Sequence, residues 1–150
     1  MTCLAVPTPL GPLTIREDGG AIVELKWGDG GYGTSDLLVQ AARQVTDYFA
    51  HRRETFDLPL RVEGSDLQRR VCAAMSAIPF GHTRTYGEIA DELGVPAQAI
   101  GQACGGNPIP VIIPCHRVLG ATSLGGFSAP GGVETKVALL KHEGAAGLLI

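Results

Sequence analysis

The segment Pro114-Cys115-His116-Arg117 has the clearest chemical potential in this sequence, because a cysteine and a histidine are adjacent in it. A thiolate is a strong nucleophile, and an imidazole that accepts the thiol proton can produce one. The alternative interpretation is structural: Cys115 is then a small buried hydrophobe at the end of a strand, and His116 is a hydrogen-bonded structural residue. On the dipeptide alone, the structural interpretation is favoured.

The residues before Cys115 are predicted to be extended. Three prolines lie within residues 108–114. They exclude a helix, because proline lacks an amide hydrogen and keeps the preceding residue out of the helical conformation. Neighbouring side chains of an extended chain point to opposite faces. A direct bond between Cys115 and His116 is therefore awkward, and a bridging water or a local turn is needed to connect them.

Zinc binding is a second chemistry to consider for the cysteines. The four cysteines, Cys3, Cys72, Cys104 and Cys115, form neither paired zinc knuckles nor a dense disulfide framework. Cys104, Cys115 and His116 are poorly spaced for a metal and have no fourth ligand nearby. The sequence therefore predicts no metal and no cofactor, and it predicts a cytoplasmic protein whose thiols stay reduced.

The composition is that of a folded protein with little general affinity for polyanions. The chain has 150 residues, 45% hydrophobic and 18% charged, which is enough to bury a core and excludes disorder. Its apolar runs are short, so we expect neither a membrane span nor a signal peptide. Residues 1–64 carry six basic and nine acidic side chains, and residues 65–150 carry six of each. Any contact with nucleic acid should therefore lie in the second half and depend modestly on salt.

The first half of the chain predicts a small antiparallel sheet followed by a helix. Runs of strand-forming residues flank a Gly-rich turn, and a later apolar series repeats at helical spacing. The predicted elements are a hairpin with strands at 13–16 and 21–27, a helix at 35–51 and an edge strand at 56–62 containing Pro59. We place these elements in a domain of residues 1–63, and we expect Cys3 to lie at a loose terminus.

The second half, residues 64–150, predicts a mainly helical domain. Thr85 and Glu88 form a capping box, in which each side chain satisfies a backbone donor at the start of a helix. The predicted helices are residues 66–78, 85–93, 97–104 and 133–142. Two short helices joined by a tight turn containing glycine are typical of a helix-turn-helix, although a plain helical hairpin fits the pattern equally well. The expected fold class is thus α/β, with a winged-helix-like second domain.

Several motifs together resemble one known family. They are the segments 78–90 (IPFGHTRTYGEIA), 105–108 (GGNP) and 113–118 (IPCHRV), with Phe127-Ser128, Gly131-Gly132, 136–140 and Glu143-Gly144 after them. In this order and spacing they resemble the O6-alkylguanine-DNA alkyltransferases, also called methylated-DNA-protein-cysteine methyltransferases. The motifs cover residues 65–145 densely, whereas the first half matches only in general style.

The resemblance implies DNA repair in which each molecule acts once. An alkyl group on O6 of guanine, or on O4 of thymine, would move irreversibly to Cys115. His116 would take the thiol proton through a water, Glu143 would orient the imidazole, and Asn107 would tie together the backbone before the acceptor. Tyr86 would help rotate the nucleotide and donate a proton toward the leaving guanine.

The resemblance also implies how the protein meets its partner, which would be double-stranded DNA containing O6-alkylguanine. Ala97, Gln98 and Ala99 would lie on the recognition helix, and Val118 and Ser128 would line the pocket. Reaching the alkyl carbon requires the base to be flipped out of the duplex. The protein is expected to act as a monomer, without a membrane.

One departure from the family pattern leaves a second function open. Gln98 stands where the family usually carries an arginine that fills the space left by the flipped nucleotide. A helix-turn-helix protein that binds lesions or has a regulatory DNA-binding role, with weak or no transfer, is the main alternative. A Cys-His hydrolase is disfavoured, because no separate histidine and no Gly-rich nucleophile turn accompany Cys115.

Overall fold

A three-stranded antiparallel sheet begins the chain in the computed structural model, which describes residues 2–127 and 129–145. Its strands, in spatial order, are β1 (Thr2–Val6), β2 (Leu13–Asp18) and β3 (Ala21–Trp27). Gly19 and Gly20, with φ of 59° and 80°, connect β2 to β3. Two successive positive φ angles are what a tight two-residue hairpin turn requires. The predicted hairpin is confirmed.

The expectation of a loose terminus at Cys3 is wrong. β1 pairs with β2 along its whole length, and Cys3 lies opposite Arg16. The Cys3 side chain is 7% exposed, and Val6 of the same strand is also buried. The terminus is ordered because β2 offers a free edge on the side away from β3, and β1 satisfies its backbone groups.

Helix α1 (Asp36–Phe49) packs on β1 and β2 and covers the sheet. The hydroxyl of Ser35 accepts a hydrogen bond from the amide of Leu38, so this predicted helix start is confirmed. Its inward face buries Leu38, Ala41, Val45 and Tyr48 completely. This stripe follows the helical repeat, which explains why the helix was predictable from the sequence.

The predicted edge strand at 56–62 does not form. Only an isolated bridge joins Leu60 to Ile22, through hydrogen bonds from Ile22 to the Pro59 carbonyl at 2.8 Å and from Arg61 to the Ile22 carbonyl at 3.0 Å. Pro59 has no amide hydrogen to extend the ladder.

Residues 1–63 form one compact unit of the chain and residues 64–150 the other.

The second unit is mainly helical, and the predicted fold class is confirmed. Its elements are α2 (Asp66–Ser76), β4 (Arg84–Thr85), α3 (Tyr86–Leu93), α4 (Ala97–Gly105), β5 (Val118–Leu119) and α5 (Val133–His142). β4 and β5 pair in parallel. The capping box is present, since Thr85 accepts from the Glu88 amide and Glu88 from the Thr85 amide. α3 and α4 follow each other closely in the chain and pack together and against α2.

The segment before the adjacent cysteine and histidine is not extended as predicted. The amide of Ile113 donates to the carbonyl of Ile109 at 2.8 Å, and Val111 between them has a φ of 72°. The chain therefore folds back on itself, and a 3-10 turn follows at Cys115–Arg117. Among residues 2–127 and 129–145, no helix is long and apolar enough to cross a membrane.

Candidate active site

Asn107 holds the turn that leads to Cys115. Its side-chain amide donates to the carbonyl of Ile113 at 2.9 Å, and its side-chain oxygen accepts from the amide of Ile109 at 3.0 Å. These two bonds close the loop in which Val111 takes its left-handed conformation, a conformation that is costly for a β-branched residue. Asn107 thus fixes the backbone that leads to Cys115.

Cys115 lies at the edge of a small cavity. Its side chain is 7% exposed, and the cavity has a volume of about 340 Å³. The described residues that line it are Tyr86, Gly101, Cys104, Gly105, Cys115, Gly126 and Phe127. Three of these residues are glycines, so part of the cavity wall is backbone.

The surroundings of Cys115 favour the protonated form of its thiol. Burial raises its pKa from 9.0 to about 11, although a hydrogen bond from Asn107 and the charge of Lys136 both lower it. A buried thiol reacts slowly as a nucleophile, because the thiolate is the reactive form. A nucleophilic role for Cys115 would therefore need a base that takes the thiol proton.

His116 and Glu143 form a buried pair that can supply this base. His116 Nε2 lies 2.8 Å from Glu143 Oε2, and both side chains are completely inaccessible to solvent. Burial lowers the pKa of His116, so its ring is neutral at neutral pH. The other ring nitrogen, Nδ1, is buried and has no hydrogen-bond partner among the described residues. A neutral ring that donates from Nε2 leaves Nδ1 as the basic nitrogen.

Arg117 is a further residue of the site, and the sequence predicts no role for it. Its Nε donates to Glu143 Oε1 at 2.8 Å, and its Nη2 donates to Glu143 Oε2 at 2.9 Å. Its Nη1 donates to the Ile78 carbonyl at 2.6 Å, at the end of the α2 segment. The guanidinium thus anchors a carboxylate that follows α5. The position of an arginine directly after Cys115-His116 is visible in the sequence, but its partner 26 residues away is not.

Lys136 is a second residue of the site for which the sequence predicts no role. The lysine is fully buried, and its ammonium donates to the carbonyls of Val118 at 2.6 Å and Gly126 at 3.2 Å. It also lies 5.7 Å from the centre of the Tyr86 ring, where a cation is attracted by the aromatic face. Lys136 therefore joins α5, β5 and the cavity wall, and it places a positive charge near Cys115.

Tyr86 is the first residue of α3 and lines the cavity together with Cys115. Its phenol is half-buried and forms a hydrogen bond with the Gly126 backbone. Burial is the main cause that raises the pKa of Tyr86, and neighbouring Cys104 and Cys115 raise it further. The phenol therefore stays protonated at neutral pH and is available as a proton donor.

The predicted DNA-contacting residues fall into two environments. Ala97 and Gln98 are exposed at the start of α4, and Ala99 is partly exposed beside them. Val118 is fully buried in β5, and the lining of the cavity does not include it among the described residues. Ser128 lies outside the described residues.

No group of three or more potential metal ligands occurs in the part of the chain that the structure describes.

Two domains of one protein family together match almost the whole chain. The 6-O-methylguanine DNA methyltransferase ribonuclease-like domain matches residues 1–62, and the DNA binding domain of the same family matches residues 66–145. The chain belongs to the 6-O-methylguanine DNA methyltransferase family. The family that its motifs resemble is thereby confirmed.

Individual relatives agree with this assignment. Over 149 residues the chain is 41% identical to a methylated-DNA-protein-cysteine methyltransferase of Mycobacterium bovis, covering 92% of this chain and 89% of the relative. It is 39% identical to one from Methanosarcina acetivorans, covering 92% and 95%. The crystal structure of Mycobacterium tuberculosis OGT in complex with DNA superposes with a TM-score of 0.85 at 40% identity, covering 93% of this chain and 91% of that one.

Proposed function

We propose that this protein repairs DNA by moving a methyl or small alkyl group from O6 of guanine to the sulfur of Cys115. O4 of thymine is a further candidate donor. The observation that carries the proposal is the position of Cys115, which lines a cavity. Next to it in the chain, His116 is paired with Glu143 through Nε2, and its Nδ1 has no hydrogen-bond partner among the described residues. Membership of a methyltransferase family supports it.

In the proposed reaction the thiol proton of Cys115 passes to Nδ1 of His116 through a water. The sulfur then attacks the alkyl carbon, the new S–C bond forms, and the bond from that carbon to O6 breaks. The electron pair leaves with guanine, and the phenol of Tyr86 supplies a proton to the leaving base. Glu143 stabilises the imidazolium that forms, and Asn107 keeps the acceptor in place. The resulting thioether has no route back to the thiol, so each molecule acts once.

The proposed substrate is an alkylated guanine that has been flipped out of double-stranded DNA. An alkylated base pairs weakly, which lowers the cost of flipping it. Ala97, Gln98 and Ala99 would contact the duplex at the start of α4, and Ser128 would lie close to the flipped base. We also propose that the protein works as a cytoplasmic monomer without a cofactor and that residues 1–63 and 64–150 are its two domains. Four free cysteines support a reducing compartment.

The test is the intact mass of the protein after incubation with a duplex that carries one O6-methylguanine. Transfer adds one CH2 group to each protein molecule and leaves unmodified guanine in the DNA. Excess lesion should not increase the adduct beyond one. Tight binding to the lesion without any change in mass would instead support the lesion-binding alternative and would overturn the proposed function.

A further inference from the structure

The chemistry of His116 depends on which ring nitrogen carries its single proton. A neutral imidazole has one N–H donor and one basic nitrogen. If the proton is on Nε2, the ring donates to Glu143 and Nδ1 is free to accept a proton. If the proton is on Nδ1, the ring has no base to offer on that side. Since Nε2 faces Glu143 Oε2 at 2.8 Å, the protonation state of that carboxyl group decides between the two tautomers.

Arg117 is the cation that is paired with the carboxyl group of Glu143. It donates one hydrogen bond to each Glu143 oxygen, at 2.8 and 2.9 Å, in the two-pronged geometry that suits a carboxylate. A carboxylate this deeply buried is unstable as an ion unless a cation compensates it. The third bond of Arg117, to the Ile78 carbonyl, prevents the guanidinium from swinging away.

We propose that Arg117 is a positioning residue that selects the reactive tautomer of His116 by holding Glu143 in its ionised form. An ionised Glu143 can only accept, so the ring must donate from Nε2 and keep Nδ1 basic. Without the guanidinium, Glu143 takes up a proton and donates to Nε2, and the ring proton moves to Nδ1. The inference rests on the proposed function for its catalytic consequence, whereas the tautomer itself can be measured without any reaction.

The other charged groups near the pair do not replace Arg117. Lys136 on α5 lowers the pKa of His116 through its charge, but its ammonium donates to the Val118 and Gly126 carbonyls. His142, the residue before Glu143, packs with its ring edge-on to Phe80 at 6.4 Å. The Phe80 ring also lies 5.9 Å from the Arg117 guanidinium, which keeps this side of the ion pair apolar.

The direct experiment is nitrogen NMR of the full chain labelled with ¹⁵N-histidine at pH 7, where the two tautomers have distinct shifts. Signals of His116 are assigned by their loss in His116→Gln. The parent is expected to show the Nε2–H tautomer. Arg117→Met is expected to show the Nδ1–H tautomer, and Arg117→Lys, which keeps the charge, to retain Nε2–H. Arg52→Met removes an exposed arginine from the other unit and serves as the matched control.

Either of two results overturns the inference. One is an Nδ1–H tautomer in the parent, and the other is an unchanged Nε2–H tautomer in a folded Arg117→Met protein. Circular dichroism checks folding first. If Arg117→Met does not fold, the parent and Arg117→Lys spectra decide, because an Nδ1–H tautomer in either one contradicts the proposal.

The transfer rate separates this inference from the proposed function. Because Arg117→Met would lose the general base, its alkyl-transfer rate at pH 7 should fall by roughly 10²- to 10⁴-fold. The rate of Arg117→Lys should be partly restored. The Arg117→Met rate should rise with pH as Glu143 loses its proton again, whereas a merely structural defect would lower the rate at every pH. If the tautomers behave as expected but the parent transfers no alkyl group, only the proposed function fails.

Discussion

Tyr86 packs so closely against Gly125 that a Cβ atom on this glycine would lie 2.6 Å from the phenolic oxygen. Gly125 has a φ of 74°, which side chains other than glycine rarely adopt. The next residue, Gly126, bonds to both Tyr86 and Lys136 through its backbone. The absence of a side chain at Gly125 thus allows the loop to close over the proton donor of the proposed reaction.

We therefore expect Gly125→Ala to displace Tyr86 and to slow alkyl transfer. A misplacement of about 1 Å in an active site can cost on the order of 10²-fold in rate. Gly20→Ala is the matched control, because Gly20 also has a positive φ, but a Cβ atom on it would meet nothing within 4 Å beyond its chain neighbours. Single-turnover rates on the same duplex distinguish the two variants. Equal rates for Gly125→Ala and the parent would show that Tyr86 tolerates the displacement.

The buried thiols make a prediction about stability at alkaline pH. Burial raises the pKa of Cys115 to about 11 and that of Cys104 to about 12, both from 9.0. In the unfolded chain these thiols ionise at lower pH than in the folded protein, so the folded state binds more protons above roughly pH 9. The contribution of these thiols to the free energy of unfolding is therefore fully present below that pH. It decreases as the pH rises towards their pKa values in the folded state.

Cys104→Ala isolates one of these contributions. Urea unfolding at several pH values between 8 and 11 should give the parent a steeper loss of unfolding free energy than the variant. The difference between the two slopes should approach about 1.4 kcal/mol per pH unit above roughly pH 9. Parallel curves would mean that the Cys104 thiol ionises equally easily in the folded and unfolded states.

With Gln98 at this position, we expect a flipped base to stay out of the duplex less persistently than it would with an arginine. The side chain is exposed at the start of α4, and it is shorter than arginine and uncharged. Single-stranded or mismatched substrates should therefore react comparatively well, since their bases are already unpaired. Gln98→Arg should raise the ratio of duplex to single-strand transfer rates and steepen the log-log salt dependence of duplex binding by about one unit. An unchanged rate ratio would mean that Gln98 does not occupy the space left by the flipped base.

Much of the fold was predictable because local signals determine it. The capping box of Thr85 and Glu88 and the Ser35 cap are contacts within a few residues, and the apolar stripe of α1 follows the helical repeat. The turn before Cys115 was not predictable in the same way. Prolines exclude a helix but do not distinguish an extended chain from a folded one. The turn depends on the Asn107 side chain, which bonds to backbone up to six residues away.

Motifs in the sequence predicted Cys115 as the acceptor and His116 as its base, whereas they predicted no role for the charged residues that surround this pair. Arg117 and Lys136 would ordinarily be assigned to the surface, since buried charges are rare unless paired. Their partners are the Glu143 carboxylate and the carbonyls of Ile78, Val118 and Gly126, all distant in sequence. Periodicity within a helix gives no information about such partners, so only the folded chain shows that both side chains are buried.

The central claim is that Cys115 is the acceptor, and peptide mapping by mass spectrometry tests it most directly. After incubation of the parent with an O6-methylguanine duplex, the methyl group should be found on the peptide containing Cys115. Cys115→Ser should gain no methyl group while still binding the duplex, and Cys72→Ser, which alters another buried thiol, should be methylated like the parent. A methyl group on Cys3, Cys72 or Cys104 of the parent, or any transfer to Cys115→Ser, would contradict the account.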